Sequence, residues 1–168
     1  MSQTSMTQEK QELLSSLTGQ REHILGILEG LGDADLRRPV LPSAWTCLGL
    51  VHHLAVDVEQ WWFRRITAGQ EIDPDESSTS AWQVAPEQSA ASVFDLYRQE
   101  IELANAIIAA TPLDAAPAYW PEELWPNWRL QDLREITLHV ITETAVHAGH
   151  LDAVRELIDG RRWLVLTE

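Results

Sequence analysis

The sequence predicts an all-α fold, a four-helix bundle. Three observations carry that expectation. Four long segments repeat apolar residues at spacings of three and four. No segment alternates apolar and polar residues over a convincing length, so no sheet is expected. The chain has 168 residues, which suits one compact core of about 100–200 residues, so 1–168 reads as a single domain.

The first helix is predicted from Gln8 to Leu31. Leu13, Leu14, Leu17, Ile24, Leu25, Ile27, Leu28 and Leu31 supply its apolar face, and Gly32-Asp33 stop it. The second starts at Thr46, an N-cap after Pro42-Ser-Ala-Trp45, and runs to Ala68-Gly69. The third starts near Pro86-Glu87, where proline suits a first turn, and ends at Ala110 before Pro112. The fourth runs from Leu130 to Asp159, with Gly160 as its stop. Three loops, 32–45, 70–85 and 111–128, separate the helices and exceed the roughly 2–8 residues that bundle turns need. The tail Trp163–Leu166 is apolar and could be extended.

Composition excludes several classes of function. Asp and Glu number 26 against 12 Lys and Arg, a formal charge of −14. A nucleic-acid binder needs basic surface to displace counterions from phosphates. Here the basic clusters are no larger than Arg37-Arg38, Arg64-Arg65 and Arg161-Arg162. Nucleic acid and anionic membrane are therefore not expected as partners. The N-terminus lacks a signal-peptide core and no apolar run spans a bilayer, which points to the cytoplasm. Cys47 is the sole cysteine, so neither a disulfide nor a cysteine-rich metal site is expected. Eight tryptophans stand out. Trp120, Trp125 and Trp128 in the third loop either wall a pocket or pack that loop onto the bundle.

The fourth helix carries a stripe of titratable groups. At about 100° per residue, with Glu143 at zero, His139 falls near −40°, His147 near +40° and His150 near −20°. Ile136, Val140 and Val154 lie within about 60° of the same direction. Buried polar groups in such company need partners. A metal ion satisfies imidazole and carboxylate together. Glu143 and His147, four apart, can reach one ion; His150 can join or support them. His139 is about 16 Å along the axis from His150, too far to share it. A third ligand should come from a facing helix, where His52 and His53 point about 100° apart, so one of them at most reaches the ion. A surface stripe or a hydrogen-bonded core network is the alternative. Gly149, mid-helix, is either a site of close backbone packing or incidental.

Two segments carry a resemblance. They are Leu48-Gly-Leu-Val-His-His-Leu-Ala-Val-Asp-Val-Glu-Gln-Trp-Trp-Phe63 and Leu138-His-Val-Ile-Thr-Glu-Thr-Ala-Val-His-Ala-Gly-His-Leu-Asp-Ala-Val-Arg-Glu-Leu-Ile-Asp-Gly160. The sequence resembles the DinB-like superfamily of metal-binding four-helix bundles, which includes mycothiol-dependent maleylpyruvate isomerases and related thiol transferases. The resemblance implies an antiparallel bundle with a long crossover between helices 2 and 3. It implies a metal site of one histidine on helix 2, preceding Leu-Ala and hence His53, with Glu143 and His147 on helix 4. Many relatives have His where Glu143 stands; the maleylpyruvate isomerase branch has Glu. His150 falls where many members have a polar residue and is taken as an extra ligand or supporting group, a proton carrier or an orienter in catalysis.

Three protein ligands leave open positions on a divalent ion, as in catalytic sites. The expected function is a thiol-dependent (mycothiol-type) transferase or isomerase acting on a small electrophile. The expected cofactors are a divalent ion (Zn, Ni or Fe, with Zn favoured) and a low-molecular-weight thiol. Its partners are then the small-molecule substrate and that thiol, and a homodimer is left open. The rivals are a metal-dependent hydrolase and a non-enzymatic metal-binding module. Cys47, about 120° around the helix from His53, should face elsewhere. Asp57, Glu59, Arg155 and Glu156 are read as ion-pair residues contributing about 0–1 kcal/mol each at the surface.

Overall fold

The computed structural model describes residues 7–72 and 81–163. Among the described residues the regular secondary structure is all helical, with five α-helices: α1 (Gln8–Leu28), α2 (Asp33–Leu36), α3 (Cys47–His53), α4 (Ala90–Ala110) and α5 (Leu133–Asp159). Without a break, α3 continues as a π-helical segment over Leu54–Thr67. These make the four long helices expected, with α2 a single unexpected turn between the first two.

The ends follow local hydrogen bonding. Thr46 caps α3 as expected, its side chain accepting from the Gly49 N–H. The third helix starts at Ala90 instead of Pro86, because Ser89 provides the cap by accepting from Ser92. The fourth starts at Leu133 instead of Leu130, where Asp132 accepts from the Glu135 N–H. It stops at Gly160, whose φ of 79° needs the left-handed region that glycine allows. α1 ends three residues before the expected Leu31. Leu164, Val165 and Leu166 of the apolar tail lie outside the described residues.

Cross-helix contacts give the direction of each helix. Glu9 pairs with Arg134, and His23 with Asp152, so α1 and α5 run in the same direction. Trp45 lies near His150, His53 near His147, and Trp62 near His139, so the second long helix runs antiparallel to α5. Lys10 donates to the carbonyls of Ala109 and Thr111 at the end of α4. Arg37, beyond the end of α1, donates to Ala85 just before the start of α4. α4 therefore runs antiparallel to α1 and parallel to the second long helix. Parallel neighbours cannot be joined by a short turn, which is the physical reason for the long crossover.

Leu17, Ile24, Leu50, Leu54, Phe63, Tyr97, Ile136, Val140 and Leu151 are fully buried and form the core. Burying one such large side chain stabilises by about 1.5–3 kcal/mol. Two charges read as surface groups are in fact interior. Glu59 is buried and takes a two-pronged hydrogen bond from Arg21, at 2.7 and 2.6 Å. Arg155 is buried and donates to the Ile27 carbonyl at 2.8 Å and to Asp159. Arg162 pairs with Glu156 at 2.9 Å on the surface, as expected.

Candidate metal centre

The site lies where α3 passes into the π-helical segment, facing the middle of α5. His53 and His147 approach with ring centroids 5.2 Å apart, edge to face. His53, Glu143 and His147 each bring one donor atom within 4.8 Å of the others. The three residues expected from the sequence are thus brought together. The stripe itself runs along the border of the buried face. Ile136, Val140 and Val154 are buried, His147 is 10% exposed, and Glu143 is 38% exposed.

The proton positions follow from the partners. His53 Nδ1 lies 2.8 Å from a carboxylate oxygen of Asp57. A carboxylate only accepts, so Nδ1 carries the hydrogen and Nε2 is left as a bare lone pair. That Nε2 is buried and has no hydrogen-bond partner. A buried unsatisfied polar atom is costly, and a cation between His53, Glu143 and His147 would satisfy it. The donor set, two imidazoles and a carboxylate, is ordinary metal-ligand chemistry. The residues present therefore fit a divalent ion. Asp57 supplies the carboxylate–histidine support that ligating histidines commonly have. Asp57 thus does more than the ion pairing expected of it, and the spacing His53-x-x-x-Asp57 signals the contact.

His147 Nε2 is 3.1 Å from Glu143 Oε1. Burial, and then the neighbouring His53, hold the His147 pKa below the usual imidazole value, opposed by Glu143. Neutral imidazole, the form that ligates, is favoured. His150 stands on the other side of the ring: its Nδ1 is 3.5 Å from His147 Nδ1, and it is exposed. It is not in the donor cluster. It contacts the ligand histidine from behind, with Trp45 beside it at 6.3 Å between centroids.

His52 and His53 divide the work of the helix. His52 is buried, and its Nδ1 lies 2.7 Å from the Ala81 carbonyl. That contact pins the start of the segment carrying Trp82. The Trp82 backbone also approaches Gly49 so closely that a Cβ there would overlap its carbonyl oxygen. The result is Trp82 stacked on His53, centroids 4.2 Å apart and planes 18° from parallel. Trp82 also edges His147 at 5.6 Å. No pattern in the sequence marks Trp82 for this position. Gly149 has open space where a Cβ would be, so no backbone among the described residues packs against it.

A cavity of about 400 Å³ adjoins the cluster, with His53, Asp57, Glu143, His139 and tryptophans 61, 62 and 125 in its wall. Trp125 stacks on Trp62 at 5.5 Å. Of the two readings of the loop tryptophans, Trp125 satisfies both: it packs the third loop onto the bundle and walls the cavity. Cys47 is fully buried, and burial pushes its thiol up to about 11. It is not among the cavity residues. No described helix is long and apolar enough to cross a membrane.

A family model described as Mycothiol-S-transferase matches residues 12–160. No curated protein matches the chain.

Proposed function

The chain belongs to the mycothiol-S-transferase family, a DinB-like metal-binding family, and from that premise we propose that it is a metal-dependent thiol transferase or isomerase. His53, Glu143 and His147 would hold one divalent ion. The observation that carries the reading is the buried lone pair of His53 Nε2, which has no partner and faces two further donors within 4.8 Å. Imidazole and carboxylate together favour Zn²⁺, with Ni²⁺ and Fe²⁺ also compatible. A divalent ion with open positions lowers the pKa of a thiol that reaches it, supplying a thiolate nucleophile at neutral pH.

The chain's own residues do the rest. Asp57 keeps the His53 proton at Nδ1, so that Nε2 stays a donor. Trp82 covers the two imidazoles and excludes water from their side of the site. His150 positions His147 through the Nδ1 contact and, being exposed, can pass a proton to or from bulk water. Cys47 offers no nucleophile, because it is buried and its thiol is held protonated. The thiol must therefore arrive from outside, and the family implies mycothiol. A cytoplasmic location accords with a small reduced thiol as co-substrate.

The test is turnover of activated electrophiles with and without mycothiol or a simpler thiol such as cysteine. The reading expects transfer that needs the thiol and is abolished in His53→Leu. Thiol-independent cleavage of an ester or amide would assign the site to a hydrolase. Metal uptake without turnover in either assay would leave a binding module.

A further inference from the structure

Five of the eight residues lining the cavity beside the metal centre carry flat rings, the others being Asp57, Val58 and Glu143. Trp62 is buried at its floor and stacks against Trp125 with planes 5° apart. Trp61 meets Trp125 nearly at right angles, 83°. His139 stands edge-on to Trp62, with centroids 4.5 Å apart. Walls at right angles offer one face and one or more edges to a ring placed between them. That is the arrangement aromatic rings prefer, because their negative faces meet positive edges. The volume, about 400 Å³, falls within the usual range for small-molecule sites.

The ionisable groups in the wall are two carboxylates and two imidazoles. Asp57 is bonded to His53, and Glu143 to His147. His53 keeps its bare Nε2 toward the metal donors, whereas His139 has no hydrogen bond from either ring nitrogen among the described residues; its neighbours are the rings of Trp62 and Trp128 and, more distantly, the Glu143 charge. Burial holds His139 below the usual imidazole pKa, so the ring is neutral at pH 7 and offers one N–H donor and one acceptor. A flat ring carrying a strong acceptor can stack against the indoles of this wall and take a hydrogen bond from His139.

We propose that this cavity holds the electrophile of the reaction, and that the electrophile is a planar aromatic or conjugated molecule whose carbonyl or nitro oxygen accepts a hydrogen bond from His139. This rests on the thiol-transfer reading for the word electrophile, but the recognition itself needs neither the ion nor the thiol. His139 is a specificity-determining residue in this scheme, and Trp125 is the ring's stacking partner.

The probe is 1,3-dinitrobenzene, unreactive toward the bare protein, titrated calorimetrically into the full chain without added metal or thiol. Toluene serves as the same ring without an acceptor, and nitrocyclohexane as an acceptor without a flat ring. One-to-one binding is expected, with dinitrobenzene tightest. Trp125→Leu should weaken both aromatic probes by about tenfold. His139→Phe should bring dinitrobenzene down to the level of toluene and leave toluene unchanged, and His139→Gln, which keeps a donor, should restore the preference. Circular dichroism of each variant confirms folding. Nitrocyclohexane binding as tightly as dinitrobenzene would overturn the inference, as would an unchanged preference in His139→Phe. Aromatic binding by a chain that takes up no metal would refute the thiol-transfer reading alone. Thiol transfer by a chain that binds neither aromatic probe would refute this inference alone.

Discussion

Removing the Asp57 carboxylate should weaken metal binding while leaving the fold intact. The carboxylate sits 2.8 Å from His53 Nδ1 and does two things. It fixes the tautomer that leaves Nε2 bare, and its charge makes the imidazole a better donor. Loss of such a supporting group typically costs 10–100-fold in metal affinity. Asp57 is 49% exposed, so water screens its charge and the effect belongs in the lower half of that range. Asp57→Asn keeps an accepting oxygen and loses only the charge; we expect about tenfold weaker binding, or about 1.4 kcal/mol. Asp57→Ala also frees the ring to exchange tautomers, and we expect about thirtyfold, or about 2 kcal/mol. Competition for Zn²⁺ against a chromophoric chelator at pH 7.5 measures both, with helicity followed by circular dichroism. Affinity within twofold of the native chain in Asp57→Ala would show that the carboxylate does not set the His53 donor, and the reasoning from the bare Nε2 would fail.

The buried pair Arg21–Glu59 makes a second prediction: Glu59→Ala leaves the guanidinium uncompensated and should cost about 3–5 kcal/mol in denaturant unfolding. Arg21→Met with Glu59→Leu, which removes both charges, should be near neutral, and a large loss in the double variant would contradict the pairing argument. Two of the helical glycines, Gly49 and Gly149, should differ in sign. Gly49→Ala must displace the Trp82 backbone and should lower both stability and metal affinity. Gly149→Ala has open space and should stabilise by about 0.5–1 kcal/mol; thermal unfolding of the two variants side by side checks this. Stability without metal should also fall in acid. The folded pKa values of His147 and His139 are held down, chiefly by burial, so below about pH 6.5 the unfolded chain binds more protons than the folded one. The stabilisation is complete above that pH and is lost as pH falls toward the folded values. Urea midpoints should drop between pH 7.5 and 5.5, and a flat profile would mean that the two imidazoles protonate as readily folded as unfolded.

The bundle and the Glu143–His147 pair were legible because both are periodic. Apolar spacing locates four helices, and a 3.6-residue repeat places Glu143 and His147 on one side of α5. Choosing His53 over His52 needed the resemblance, since 100° of rotation leaves either free to point inward. The structure gives the physical distinction: His52 is held by a backbone carbonyl of another segment, a contact that only the fold creates. Trp82 was unreadable for the same reason, because it reaches His53 through the approach of its loop to Gly49. The π-helical stretch from Leu54 also has no sequence signature. Its hydrogen bonds run from i to i−5, such as Ala68 N–H to the Phe63 carbonyl at 3.0 Å. Asp132-x-x-Glu135 is different. It is a readable start signal, and reading the helix from Leu130 overlooked it.

One ion held by His53, Glu143 and His147 would have two imidazoles and a carboxylate around it. X-ray absorption at the zinc edge, on protein purified without a histidine tag and loaded with one equivalent of Zn²⁺, tests that arrangement most directly. The expected spectrum contains two imidazoles and light oxygen or nitrogen neighbours, with no sulfur, and loses one imidazole in His53→Leu. A sulfur neighbour would place the ion at Cys47, and an imidazole count unchanged in His53→Leu would place it elsewhere on the chain; either result contradicts the site.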